Sequence, residues 1–113
     1  HWALTANATA TNNTVALTSV HGDLYLIPAA VLTVTDVKAY DGMDNQATEI
    51  TPSGSYVATG VSIFLESNAN TDTNVIKNGG TQIPGSTAAN GTNKATATLA
   101  MPATGATITF AAP

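Results

Sequence analysis

Along the first eleven residues, His1-Trp-Ala-Leu-Thr-Ala-Asn-Ala-Thr-Ala-Thr11, the even positions are apolar and the odd ones mostly polar. A two-residue period is the signature of a strand with one buried face, and it sets Trp2, Leu4, Ala6, Ala8 and Ala10 side by side. Asn12-Asn13 interrupts the pattern, which resumes at Val15 and Leu17 with the opposite parity. A bend or bulge there would let both halves face one core; otherwise the halves face different cores. Past a turn at His21-Gly-Asp23, the apolar run Leu24-Tyr-Leu-Ile27 reads as a buried strand closed by Pro28.

Val31 to Tyr40 carries the strongest internal strand pattern. Leu32 and Val34 share a face, and Val37 and Ala39 rejoin it after a parity shift at Thr35-Asp36, which a β-bulge would explain. A loop at Asp41–Asn45, a short strand at Ala47–Ile50 and a turn at Thr51-Pro-Ser-Gly54 follow. Tyr56–Ala58 and Val61–Leu65 read as adjacent strands joined around Gly60, the second with Val61, Ile63 and Leu65 set against Ser62, Phe64 and Glu66. Val75-Ile76 precedes Asn78-Gly-Gly80, a tight-turn signature tolerant of positive φ. After a long loop at Pro84–Asn93, Lys94–Met101 turns Ala95, Ala97, Leu99 and Met101 inward. Pro102–Gly105 turns the chain, and Thr107–Phe110 places Ile108 and Phe110 inward, so the last two segments read as a closing hairpin.

No window shows a convincing 3.6-residue apolar period, and Thr and Val, both favoured in strands, dominate the periodic segments. Short strands with turn signals every 8–12 residues indicate an all-β, antiparallel sandwich, Ig-like or jelly-roll-like, over residues 1–113 as one domain. Residues 1–13 stand apart as an extended assembly strand, and a strand from a neighbouring subunit could complete the sandwich. A chain of 113 residues can bury roughly 65% of its unfolded surface without staples.

Composition sharpens the functional class. Charged residues are only 9% of the chain, against about 25% in an ordinary soluble domain, so hydroxyls and amides must keep the surface wet. The cations are Lys38, Lys77 and Lys94, there is no Arg, and the net charge is −4. A phosphate-neutralising face for nucleic acid, or attachment to anionic lipid, is therefore not expected. No apolar run approaches the roughly 20 residues that span a bilayer, so no direct membrane insertion is expected either. The lack of Cys removes disulfides, thiolate zinc sites and a thiol nucleophile. The first residue is His rather than Met, as signal-peptide removal would leave it, so an extracellular location, at a cell or virion surface, is expected.

Several residue sets could carry chemistry. An N-terminal His1 offers an α-amine and a ring nitrogen together, and His21 could add a second imidazole, a three-nitrogen set suited to Cu(II). This pair resembles the histidine brace of copper-dependent polysaccharide monooxygenases and of some small copper-binding sandwiches, and the resemblance implies copper as a cofactor held by His1 and His21. Glu66, Asn68, Asn70 and Asp72, continued by Asn74, place oxygens at every second position, as a calcium loop does, and Asp41, Asp44, Asn45 and Glu49 form a second group. Neither has the glycine placement or closing Glu of an EF-hand. Asn7, Asn12 and Asn90 each begin a glycosylation sequon. Ser19, His21 and Asp23 are collinear on one strand face and cannot converge as a hydrolytic triad must, so no catalytic residue and no enzyme is expected. Trp2, Tyr25, Tyr40 and Tyr56 could offer rings for stacking on sugars.

The composition suits a structural, self-assembling subunit of an extracellular filament, pilus-like fibre or virion or cell surface layer. Contacts with copies of itself bury Thr and Ala cheaply where charges would be costly. In that reading the N-terminal strand, with Trp2, Leu4, Ala6 and Ala8, is the inter-subunit contact and completes a neighbour's sheet. In one variant the partner is a separate helical pilin-type chain. The alternative class is a secreted carbohydrate-binding, adhesive β-sandwich module with glycans as partners; a small copper-binding protein is a second alternative.

Overall fold

The computed structural model describes residues 2–3, 9–10 and 27–113, with side chains from Pro28 onward. Among these residues eleven strands follow one another: β1 (Trp2–Ala3), β2 (Thr9–Ala10), β3 (Ile27–Val34), β4 (Val37–Asp41), β5 (Thr48–Glu49), β6 (Ser55–Ala58), β7 (Ser62–Ser67), β8 (Val75–Asn78), β9 (Thr81–Gln82), β10 (Thr96–Ala100) and β11 (Ala106–Ala111). They form two sheets. The larger has the order β2-β6-β3-β11-β8-β9, with β1 added against the start of β3; the smaller has the order β10-β7-β4-β5. No helix is present among the described residues. The expected all-β sandwich is present, and among the described residues its pairings are antiparallel except for β3 and β11, which run parallel with Leu32 opposite Ala106 and Val34 opposite Ile108.

The two sheets share one core. Ala30, Leu32, Val57, Ile76 and Ile108 enter it from the larger sheet, and Val37, Ala39, Ile63, Leu65 and Ala97 from the smaller. The two-residue period accounts for which side chains these are. On β7, Ile63, Leu65 and Ser67 are buried while Ser62 is exposed and Phe64 and Glu66 are half-buried. Ala95, Ala97 and Met101 are buried beside them, as the alternation of Lys94–Met101 requires. Ser67 is the single polar residue buried among the described ones, and its hydroxyl accepts the N–H of Ala95 at 2.9 Å and donates to the carbonyl of Ala69 at 2.6 Å. A buried hydroxyl satisfied in both roles avoids the cost of an unpaired polar group.

The connections differ from the sequence expectation in one consistent way. At Thr35-Asp36 the chain does not bulge within a strand. It leaves the larger sheet at Val34 and enters the smaller at Val37, with Asp36 in the left-handed region at φ 60°. The bend is tied on both sides: Thr35 N–H donates to Ile108 O at 3.0 Å, and Asp36 O accepts from Asn68 at 2.9 Å. Ser53 brackets Val34, its Oγ accepting from Val34 N–H at 2.9 Å and donating to Val34 O at 3.1 Å. Gly60, expected to join adjacent strands, instead carries the chain from β6 in the larger sheet to β7 in the smaller. Pro102–Gly105 likewise carries it from β10 back to β11, so the expected closing hairpin is a crossover. A parity shift or a turn marks where the chain reverses or bends; which sheet the next strand joins depends on distant partners that no local pattern encodes.

Pro28 also sits differently from the expectation. It does not close the run at Ile27 but is the second residue of β3, where a missing N–H is tolerated. Its carbonyl accepts both the N–H and the hydroxyl of Thr59. The turn at Gly79-Gly80 is as expected: both glycines have positive φ, 62° and 86°, the conformation of a two-residue type I′ hairpin between β8 and β9.

Gly105 gives the crossovers a direct test. Its φ is +87°, and a Cβ there would stand 2.9 Å from the carbonyl oxygen of Val31. Gly60 has φ +85° but open space around the same position. Gly105→Ala should lower the unfolding free energy by on the order of 3 kcal/mol, strain plus overpacking, and Gly60→Ala by about 1 kcal/mol, strain alone. Urea midpoints of the two variants measure the difference; equal losses would mean that the approach of Gly105 to β3 contributes nothing.

Candidate functional site

Two surfaces of the sandwich could meet a partner: the sheet edges and the outer face of the smaller sheet. The larger sheet ends on the β2 side in a patch supplied by the N-terminal residues. Thr9 and Ala10 pair with Val57 and Tyr56 of β6, and Trp2 and Ala3 pair with Pro28 and Ile27 of β3, both antiparallel. Among the described residues each ladder pairs two residues on either side through the main chain. The other interface residues expected from sequence, Leu4, Ala6 and Ala8, lie outside the described residues, as does the side chain of Trp2.

At the edge of the smaller sheet, the residues flanking β10 bond to the β7 side: Ser67 N–H donates to Ala95 O, and Met101 N–H to Val61 O at 2.8 Å. Alternation then directs the main-chain groups of Thr96, Thr98 and Ala100 away from the sheet. Thr87 meets Thr96 by two main-chain bonds of 2.8 and 3.1 Å. Among the described residues Thr98 and Ala100, both exposed, remain at an edge, and β10 itself contains no Lys or Pro to blunt it.

The outer face of the smaller sheet carries a row formed by register: Thr98, Phe64, Tyr40 and Glu49 across four strands, beside Thr96, Glu66 and Lys38. The rings of Tyr40 and Phe64 sit 6.2 Å apart, tilted by 46°. Next to them Asn45 donates to Glu66 Oε2 at 3.4 Å and accepts from Gln46 Nε2 at 3.2 Å, while Met43, 69% exposed, projects from the same β4–β5 hairpin. The aromatic set expected from sequence is thus divided. Tyr40 stands on the smaller sheet and Tyr56 on the larger, and Tyr25 is outside the described residues. Phe64, missed because its neighbours Val61, Ile63 and Leu65 define the inward phase, is the partner of Tyr40; an aromatic in the polar phase of a strand was the available signal.

The oxygen-rich groups are engaged separately. Glu66 is bonded to Asn45, Asn70 Nδ2 donates to Gly91 O at 2.8 Å, and Asp44 Oδ1 caps Gln46 N–H at 2.9 Å. Asn68 and Asp72 are exposed in the loop after β7. Among the described residues no three His, Asp or Glu side chains stand close enough to hold a metal ion. His1 and His21, with Ser19 and Asp23, lie outside the described residues, and so do the sequons at Asn7 and Asn12. Asn90, the third, is exposed in the loop between β9 and β10.

No protein-family model matches this chain, and neither a curated protein nor a solved structure gives a significant match to it.

Asp41, at the end of β4, provides a measurable consequence of this geometry. Burial pushes its carboxyl above its ordinary value. A carboxyl held higher in the folded than in the unfolded state releases its proton less readily when folded. Its effect on stability is therefore absent below the unfolded value of 3.8 and turns unfavourable as pH rises from there through the folded value. Asp41→Asn should melt higher than the parent at pH 7, with the gap closing toward pH 3. A gap that persists at pH 3 would assign the effect to something other than ionisation.

Proposed function

We propose that this chain is a structural subunit that assembles with copies of itself into an extracellular filament, pilus-like fibre or surface layer, its N-terminal strand adding to the sheet of a neighbour. One observation carries the reading. The N-terminal residues hold to the body by main-chain pairing along β6 and the first residues of β3, and this ladder can be made equally by the same residues of a second copy. Such an exchange is head-to-tail and does not close on itself, so it propagates. The sparse charge of the chain supports it, since with 9% charged residues a contact between copies desolvates few ions.

The aromatic pair favours a second reading, a secreted module that binds glycans. Tyr40 and Phe64, with the Asn45 and Gln46 amides and Glu66 beside them, combine a ring surface with planar hydrogen-bonding groups. Stacking on a sugar face would use the first, and ring hydroxyls of the sugar the second.

A cysteine pair separates the two. Ala10 and Tyr56 are register partners, within reach of a disulfide across the ladder. In Ala10→Cys, Tyr56→Cys protein, oxidised after assembly, a donated strand links neighbouring subunits into a covalent ladder on a denaturing gel. Single intramolecular bridges on every chain, with polymers still present, would refute donation. Deleting residues 1–11 should abolish polymers while leaving a folded monomer. Glycan affinity lost in Phe64→Ala and kept in the deletion would favour the binding module.

A further inference from the structure

We propose that Asn90 is an N-glycosylation acceptor, taking an oligosaccharide from a polyprenyl-phosphate-linked donor. The sequon Asn90-Gly91-Thr92 supplies the residue types, but the fold supplies the presentation. Residues 90–94 are exposed without interruption. The Asn90 carboxamide oxygen accepts two main-chain N–H groups, from Thr92 at 2.9 Å and Asn93 at 2.6 Å, while Asn90 N–H donates to Asn93 O at 3.2 Å. The oxygen is thereby turned into the loop. The Nδ2 group, which has no hydrogen-bond partner among the described residues, is left at the surface.

Gly91 makes this conformation accessible. It has φ +79°, which a residue with a Cβ adopts only with strain. It is clamped from below by Asn70: Gly91 N–H donates to Asn70 O at 3.0 Å, and Asn70 Nδ2 donates to Gly91 O. Ala89 on the preceding side is buried in the core, and its N–H donates to Asn74 O at 2.9 Å. An acceptor held by these bonds on a projecting loop can reach a transferase without unfolding of the sandwich. The two N–H donors on Oδ1 also draw electron density toward that oxygen, which makes the Nδ2 protons easier to remove.

In the transfer, Nδ2 attacks the anomeric carbon of the first sugar. The new C–N bond forms as the C–O bond to phosphate breaks, the lipid phosphate leaves with that electron pair, and one Nδ2 proton passes to a base of the transferase. The site lies at the end of the sandwich reached by Val34, through Asp36 and Asn68, whereas Trp2 and Ala3 pair at the opposite end of β3. The proposal shares with the assembly reading only its extracellular location.

The test uses folded, unassembled protein with a purified oligosaccharyltransferase and a lipid-linked oligosaccharide, read by intact mass and glycopeptide sequencing. One glycan on the peptide containing Asn90 is expected, lost in Asn90→Gln and Thr92→Ala and retained in Thr92→Ser. Asn70→Ala, which removes the side-chain half of the clamp, should slow transfer several-fold relative to the parent, with the same circular dichroism. Modification confined to Asn7 or Asn12, or no transfer to the folded chain while the unfolded chain is modified, would overturn the proposal. Neither readout depends on whether the protein polymerises, so failure here leaves the filament reading intact, and the converse holds.

Discussion

The structure depends on the repeated passage of one chain between two sheets across a shared apolar core. Of the connections after β3, only those closing the β4–β5 and β8–β9 hairpins stay in one sheet; the others cross from one to the other. Each crossing must therefore deliver its next strand with an inward face already in phase. Leu32 and Val37 show how tightly this is done: both are buried in the same core although they belong to different sheets, whose strands β3 and β4 are joined by a two-residue bend. Because each sheet is supplied by strands remote in sequence, neither can bury its face before the other is present, which makes the core a single cooperative unit.

That arrangement leaves edges, and the edges decide how the surface behaves. A sandwich ends each sheet in a row of unpaired main-chain groups, and proteins ordinarily blunt such rows with charge, Pro, bulges or short strands. Here β5 and β9 are two residues long, and β10 is half covered by Thr87. Charge is hardly used. With three Lys in the whole chain, edge protection falls to strand length and loop cover, both of which another copy can displace more easily than a charged side chain.

Much of the fold was legible because the two-residue period is a local property. The inward phase of β7 and β10, the Gly79-Gly80 turn and the absence of helical periods all follow from neighbours in sequence. What was not legible was partnership. The segments around Gly60 read as adjacent strands and those around Pro102–Gly105 as a hairpin, since a turn with strands on either side ordinarily pairs them, yet the strands they join lie in opposite sheets. The parallel pairing of β3 with β11 joins residues more than seventy positions apart, and no local signal marks it. The same limit applied to the surface: Tyr40 was singled out without Phe64, because their proximity is a matter of register between β4 and β7.

Ownership of the N-terminal strand turns on a comparison of magnitudes. The main-chain bonds to β6 and β3 are the same whether the donor is the chain itself or a neighbour, so they cancel. What differs is concentration. A tethered strand sees its own acceptor at an effective concentration on the order of millimolar, so for free subunits near micromolar the intramolecular arrangement leads by about 4 kcal/mol. Exchange wins once the subunit contact that accompanies it supplies more than that. At about 25 cal/mol per Å2 this is roughly 160 Å2 of apolar surface, small beside the roughly 1,600 Å2 buried in a standard interface. A chain in which charged residues are only 9%, so that few ions must be desolvated, makes that surplus attainable. A surface rich in Lys and Glu would not, because each like-charged approach would return the advantage to the closed monomer. Sparse charge and a main-chain ladder that either chain can supply are thus two parts of one condition for polymer growth, and adding Glu to the outer faces of a chain of net charge −4 should weaken assembly without touching the ladder itself.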